Sequence, residues 1–372
     1  IQPGGMFDFQ KGTFGLTGAG GLTVGSSGAL GDVIHVSNQQ TYNISHTATV
    51  ASDGVLSVAN GGRFNAQTLN NFGAVIMGGN LARITTSPLT TFNNHGLLSG
   101  AGRIDGDLYN HAGGIVELEA GKRLTFTDQM YNLAGGRIIG RGQLVAPDIN
   151  NYGQMLFSGG FTDIQSTITG YNGSQMIITG GGTTTVFGDV EIKGGAELRI
   201  SEFSNGVVFD HVQLRNGALI TGSGNSYFEG SLGIGDSPSR QEFSFNVNLG
   251  ALSNLIVEIA GTDPFLPEFD QYVFLQNLNL QGGMLTVDLI GLNLGDPAYM
   301  PLAGDSFQFI EVAGNWTGTF GTLNLPTLGG GLNWNTTQLY SHGILSVSAI
   351  PEPSSGLLLL MMTCALVVRR RR

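Results

Sequence analysis

Six copies of one short pattern constrain this chain more than any other feature of it. In each copy an Asn is followed within one to three residues by Gly, and then by an apolar, strand-like run. The copies read N-N-F-G-A-V-I-M from Asn70, N-N-H-G-L-L-S from Asn93, N-H-A-G-G-I-V-E-L from Asn110, N-L-A-G-G-R-I-I from Asn132, N-N-Y-G-Q-M-L-F from Asn150 and Y-N-G-S-Q-M-I-I from Tyr171. Their glycines, Gly73, Gly96, Gly113, Gly135, Gly153 and Gly173, are 23, 17, 22, 18 and 20 residues apart. A period near 20 with strand composition predicts a β-solenoid rather than a helical repeat. Each rung then buries its inward side chains only by stacking on the next. Asn and Gly tolerate left-handed torsions at a sharp bend, and Asn side chains sharing a corner can ladder from rung to rung.

The same rhythm extends in both directions. Leu22-Thr23-Val24, Val33-Ile34-His35-Val36 and Val55-Leu56-Ser57-Val58 are short alternating strands between glycine turns, as are Val190-Glu191-Ile192 and Leu198-Arg199-Ile200. The 60 glycines follow no collagen period, so they read as tight turns. At about 20 residues per rung, residues 1–240 would make roughly 12 rungs and a rod of roughly 55–60 Å. Inward Val, Ile, Leu and Phe on parallel rungs predict a right-handed parallel β-helix. The repeat resembles the passenger-like β-helices of bacterial surface proteins.

Composition changes near residue 241. Arg240 is the last basic residue before Arg369, and ten acids lie between Glu242 and Glu352. Residues 241–349 therefore read as an acidic β-rich region, either continued solenoid or a small antiparallel cap over the open end. A solenoid end needs such cover, because its bare edge would pair with another chain. The net charge is −11, or −15 without Arg369 to Arg372, which argues against nucleic acid as a partner. Cys364 is the only cysteine, which excludes an intrachain disulfide and a thiolate metal site.

The C-terminus, residues 350–372, carries an address. Pro351-Glu352-Pro353 is held extended by its two prolines. An apolar run follows at 357–368, interrupted only by Thr363, and then Arg369, Arg370, Arg371 and Arg372. As a helix the run spans roughly 18 Å, short for a bilayer core of roughly 30 Å, although arginine stems can snorkel to the interface. Basic residues stay on the cytoplasmic side, so the rest of the chain would be exported. The three-part tail resembles the PEP-CTERM sorting signal of Gram-negative-type bacteria. That resemblance implies Pro351, Glu352 and Pro353 as recognition residues, Arg369 to Arg372 as a cytoplasmic stop, and an exosortase-type membrane enzyme as partner. It also implies transient anchoring in the inner membrane, then a place at the cell surface or outside the cell. A signal peptide is expected ahead of Ile1.

No nucleophile elbow, dinucleotide fingerprint, phosphate loop or H-E-x-x-H motif occurs. His95 and His111 share the marker corner and are expected to face solvent; the alternative is a metal pair on adjacent rungs. Asp105 and Asp107, two apart, would face the same way on a strand, as would Glu117 and Glu119 on the next rung. As a cluster these four could bind Ca²⁺ or a glycan, or act as acid and base, with Arg103, Lys122 or Arg123 holding an acidic sugar. As exposed positions of half-buried strands they would do neither. Asp263, Glu268, Asp270 and Asp305 are a second candidate for Ca²⁺. Trp316 and Trp334 could stack on sugars or pack in a core.

The expectation is an all-β protein: a right-handed parallel β-helix, a β-rich C-terminal cap and a short C-terminal transmembrane helix. Its expected role is structural, at the cell surface or in an extracellular, polysaccharide-associated matrix, without catalysis or a required cofactor. The alternatives are a polysaccharide-active β-helix enzyme and a carbohydrate-binding surface protein.

Overall fold

The computed structural model describes residues 9–350 apart from 88–90 and 237. The proline motif from Pro351, the apolar run and the terminal arginines lie outside the described residues. Among the described residues no helix is long and apolar enough to cross a membrane.

The chain winds as a three-sided parallel β-solenoid. One turn shows the plan. Ile115–Leu118, Arg123–Phe126 and Met130–Asn132 form its first, second and third sides. Ile115 pairs back to Leu97 and forward to Arg137, Leu124 to Gly102 and Leu144, and Met130 to Leu108 and Ile149, all in parallel register. Side chains alternate along each strand. Val116, Leu118, Leu124, Phe126 and Met130 point inward and are buried, and their equivalents in every turn join one continuous apolar core.

The composition break near residue 241 interrupts the ladder on the first side only. There Arg240–Phe243 starts a separate parallel sheet with Gln271–Phe274 and Ile310–Val312, while Asn246–Leu249 continues the main sheet from Asn225–Phe228. Turn length also changes. Side-chain bonds between neighbouring turns span 21 residues from Asn246 to Asn225, then 31 from Asn277 to Asn246, and 38 from Asn315 to Asn277. The additional residues form loops outside the core. A genuine cap is formed by an antiparallel sheet of Ser306–Gln308, Ile344–Ala349 and Leu332–Asn335. Residues 241–349 thus supply both solenoid turns and this sheet, whose strand Ser306–Gln308 precedes the last solenoid strands in the chain. Cap residues Phe307, Leu345 and Val347 extend the solenoid core, and the four-residue helix Leu339–His342 buries Leu339 beside them.

At the marker corner the expected Asn ladder is present, and it runs inside the core. Its asparagines are not left-handed: among the described residues only Gln39 and Phe203 have positive φ without being Gly. The Asn side chains turn inward instead. Asn71, Asn94, Asn110, Asn132 and Asn151 are at most 1% exposed. Asn71 Nδ2 donates to Asn94 Oδ1 at 2.7 Å, Asn94 to Asn110 at 2.7 Å, Asn110 to Asn132 at 2.8 Å and Asn132 to Asn151 at 2.7 Å. Each Nδ2 also reaches a backbone carbonyl, for Asn110 that of Arg137 at 3.1 Å. The ladder ends where Gly170 occupies the next register position.

Two causes act on the glycines of the corner: close approach at Gly73, Gly96 and Gly153, and left-handed torsion at Gly113, Gly135 and Gly173, whose φ is 82°, 80° and 82°. A Cβ on Gly96 would lie 2.2 Å from the Gly73 carbonyl oxygen of the preceding turn. Both causes act together at Gly140. Gly140 has φ 101°, and a Cβ there would lie 2.1 Å from the Leu118 carbonyl oxygen. Gly140→Ala is therefore expected to cost on the order of 3 kcal/mol, combining backbone strain with that clash. Gly121, at φ 72° with open space around it, should lose only about 1 kcal/mol on the same change, since strain acts there alone. Urea midpoints of the two variants check the difference.

Candidate functional site

The acids singled out in the sequence do not come together as metal-binding clusters among the described residues. Asp105 ends the strand Leu97–Asp105. Gly106, at φ 117°, turns the corner, and Asp107 opens Asp107–Asn110 on the third side. The two carboxylates do not share one strand face. Asp105 is 9% exposed and sits between two guanidinium groups, bonded to Arg83 and, at 2.6 Å, to Arg103 Nε. It also accepts the Thr127 hydroxyl at 3.2 Å. Burial pushes this carboxyl up, but the hydrogen bonds and charges of Arg103 and Arg83 outweigh it and hold Asp105 below the usual range. It is ionised at neutral pH and has no proton to donate.

Asp107 accepts the Gln129 backbone N–H at 3.1 Å. Glu119 pairs with Lys122 at 2.5 Å. Glu117 lies outward on the first side, in register with Ser99 and Ile139. The acids of the second group are each engaged by hydrogen bonds. Glu268 accepts the amides of Thr262 and Asp263, and Asp305 accepts the Tyr299 hydroxyl at 2.6 Å. Asp270 is buried, 1% exposed, with one carboxyl oxygen on the Ser239 amide at 2.8 Å and the other on the Glu258 amide at 2.9 Å. Among the described residues no three His, Cys, Asp or Glu side chains stand together to hold a metal ion.

The histidines do stack. Phe72, His95 and His111 follow Asn71, Asn94 and Asn110 on successive turns. Their ring centroids are 4.8 and 4.2 Å apart, with interplanar angles of 11° and 9°. Burial, and the neighbouring His95, lower the His111 pKa. The His111 Nε2 lies 3.2 Å from Asn93 Oδ1. Leu133 takes the next position; beyond it Tyr152 and Tyr171 stack at 4.1 Å, and the Lys193 ammonium lies 4.3 Å from the Tyr171 centroid. Face-to-face rings show solvent their edges, so the column is a stacking device and not a flat sugar platform. Parallel planes also rule out one ion lying in both imidazole planes as they stand.

The two tryptophans belong to the cap end. Trp334 donates its indole N–H to the Pro326 carbonyl at 2.8 Å and packs against Phe307. Trp316 meets Tyr340 edge-on at 6.3 Å. It lines an open cleft of about 570 Å³ with Gln308, Glu311, Tyr340 and His342 among its walls. Its indole nitrogen is buried and has no acceptor among the described residues.

The structure also assembles a group that sequence reasoning missed. Arg63, Arg83 and Arg103 are register partners on three successive turns of the second side. The signal was present as an Arg recurring every 20 residues at 63, 83, 103 and 123. Arg123 leaves the column because the next turn pairs Thr125, not Arg123, with Arg103.

The fold and surface define an all-β parallel solenoid whose outward side chains form ladders along its sides. No protein-family model matches the chain, and no curated protein matches it. Among solved structures it is similar to the crystal structure of a TibC-catalyzed hyper-glycosylated TibA55-350 fragment. That similarity is 17% identical, covers 74% of this chain and 95% of that one, and has a TM-score of 0.32. A TM-score of that size carries no functional inference.

Proposed function

We propose that this chain is an exported bacterial structural protein of the cell surface or extracellular matrix, without catalytic activity. It is sorted and cleaved at Pro351-Glu352-Pro353 by an exosortase-type membrane enzyme, after transient anchoring through residues 357–368. The tail supports the address. The observation that carries the structural role is the continuous core with side-chain ladders along it, from Asn71 to Asn151 within and from Arg137 to Glu197 outside. In the outer ladder Arg137 donates to Gln154, Gln154 to Gln175 at 3.1 Å, and Gln175 to Glu197 at 2.8 Å. Such rungs resist shear along the axis, which suits a rod bearing load. Mass spectrometry of the mature C-terminus, by cell fraction in the native host, tests the proposal. A C-terminus near residue 350 in an outer or secreted fraction is expected. An intact Arg372 confined to the inner membrane would overturn the sorting reading.

A further inference from the structure

We infer that the Arg63–Arg83–Arg103 column is a binding stripe for a carboxylate-bearing, uronate-type polysaccharide lying along the rod. Twelve basic residues precede the terminal arginines, 16 less four, and three of them share one column. Neighbouring turns are about 4.8 Å apart, so the column sets like charges close together. One acid offsets it: Asp105 bridges Arg83 and Arg103. Among the described residues no acid lies within ion-pair distance of Arg63. The stripe thus holds three guanidinium groups against one carboxylate, in a chain whose net charge is −11.

Its surroundings fit a sugar polymer. The outward positions beside the arginines are Asn43, Asn65, Thr85 and Asp105, one per turn in register. Asn65 Nδ2 donates to Asn43 Oδ1 at 2.7 Å. Asn43, Asn65 and Thr85 line an open cleft of about 480 Å³ along the same side. Amide and hydroxyl groups there exchange hydrogen bonds with sugar hydroxyls, while each guanidinium can take a carboxylate with two parallel bonds. The remainder of the molecule is acidic, with a net charge of −11 for the whole chain. At physiological salt that remainder is screened beyond roughly 8 Å, which leaves the local stripe in control.

This inference names a partner for the proposed surface role and rests on that reading only for where the polymer is met. The test uses the purified full chain, with polygalacturonate and unmodified dextran as probes in affinity electrophoresis. Polygalacturonate should retard the protein, less so as salt rises, and dextran should not. Arg63→Gln should weaken polygalacturonate binding about tenfold while leaving the melting temperature unchanged, since Arg63 supports no ion pair. Binding unchanged by Arg63→Gln, or equal retardation by dextran, would overturn the inference. Either result leaves the export reading standing, because that depends on the mature C-terminus.

Discussion

Replacing Asn110 with Asp is expected to destabilise the protein by on the order of 4 kcal/mol at neutral pH, the range for an unpaired buried charge. Asn110 is fully buried, and its amide works in both directions. Its oxygen accepts from Asn94 at 2.7 Å, and its nitrogen donates to Asn132 at 2.8 Å and to the Arg137 carbonyl at 3.1 Å. A carboxylate keeps the first bond but has no hydrogen for the other two. Its second oxygen would face two further oxygens, the Asn132 side chain and the Arg137 carbonyl. Protonation restores one donor, so the penalty should shrink as pH falls. Asn65→Asp is the control, because the Asn65–Asn43 pair lies at the surface. That change should stay within about 0.5 kcal/mol. Chemical denaturation at pH 7 and pH 5 checks both variants. Equal, small effects would mean that the buried ladder does not hold successive turns together.

Stability is also expected to fall as pH rises from about 4 to about 8, and Asp270 is the cause. Burial pushes its carboxyl up to about 8, against the pull of the Glu258 and Ser239 amides. Between the unfolded value and that one, the folded protein holds a proton that the unfolded chain has released. Stability is therefore full below the unfolded value and declines through the window, reversing the behaviour of an ion-paired carboxylate such as Asp105. The slope is about 1.4 kcal/mol per pH unit for one group, or roughly 5 kcal/mol across the window. Asp270→Asn removes the titration. Its amide nitrogen would face one of the two N–H donors, so the variant should be less stable than the parent at pH 5. It should nevertheless approach or exceed the parent at pH 9. Melting temperatures at pH 5, 7 and 9 give the comparison, and parallel curves for the two proteins would refute it. Asp270 joins the Ser239 turn to the strand Asn254–Ile259, and Tyr272, fully buried nearby, bonds the Ile256 and Leu232 carbonyls. The loss should therefore begin where the longer turns of the solenoid start.

The parallel solenoid was legible because its cause is local and repeated. Each turn carries alternating apolar positions and a small residue at the same corner, so spacing alone reveals the stacking axis. The Asn corner could also be read as a ladder, since five asparagines recur with it. Its depth could not be read. The corner has two lengths, Asn-Phe-Gly after Asn70 and Asn-His-Ala-Gly-Gly from Asn110, and only register aligns Gly114 with Gly96 rather than Gly113. The acid cluster failed for a related reason. Residues two apart face the same way only while the strand continues, and Gly106 ends it between Asp105 and Asp107.

By itself the sequence determined that this chain stacks short parallel strands around an apolar core, because hydrophobic alternation and turn spacing are properties of neighbouring residues. Only the tertiary structure decided which side chains on different turns meet. Arg63, Arg83 and Arg103 align while Arg123 does not, because one turn is two residues longer between the second-side strands. A shift of two residues keeps every side chain on its face but moves it to a different neighbour. Charge pairing, unlike burial, depends on that neighbour.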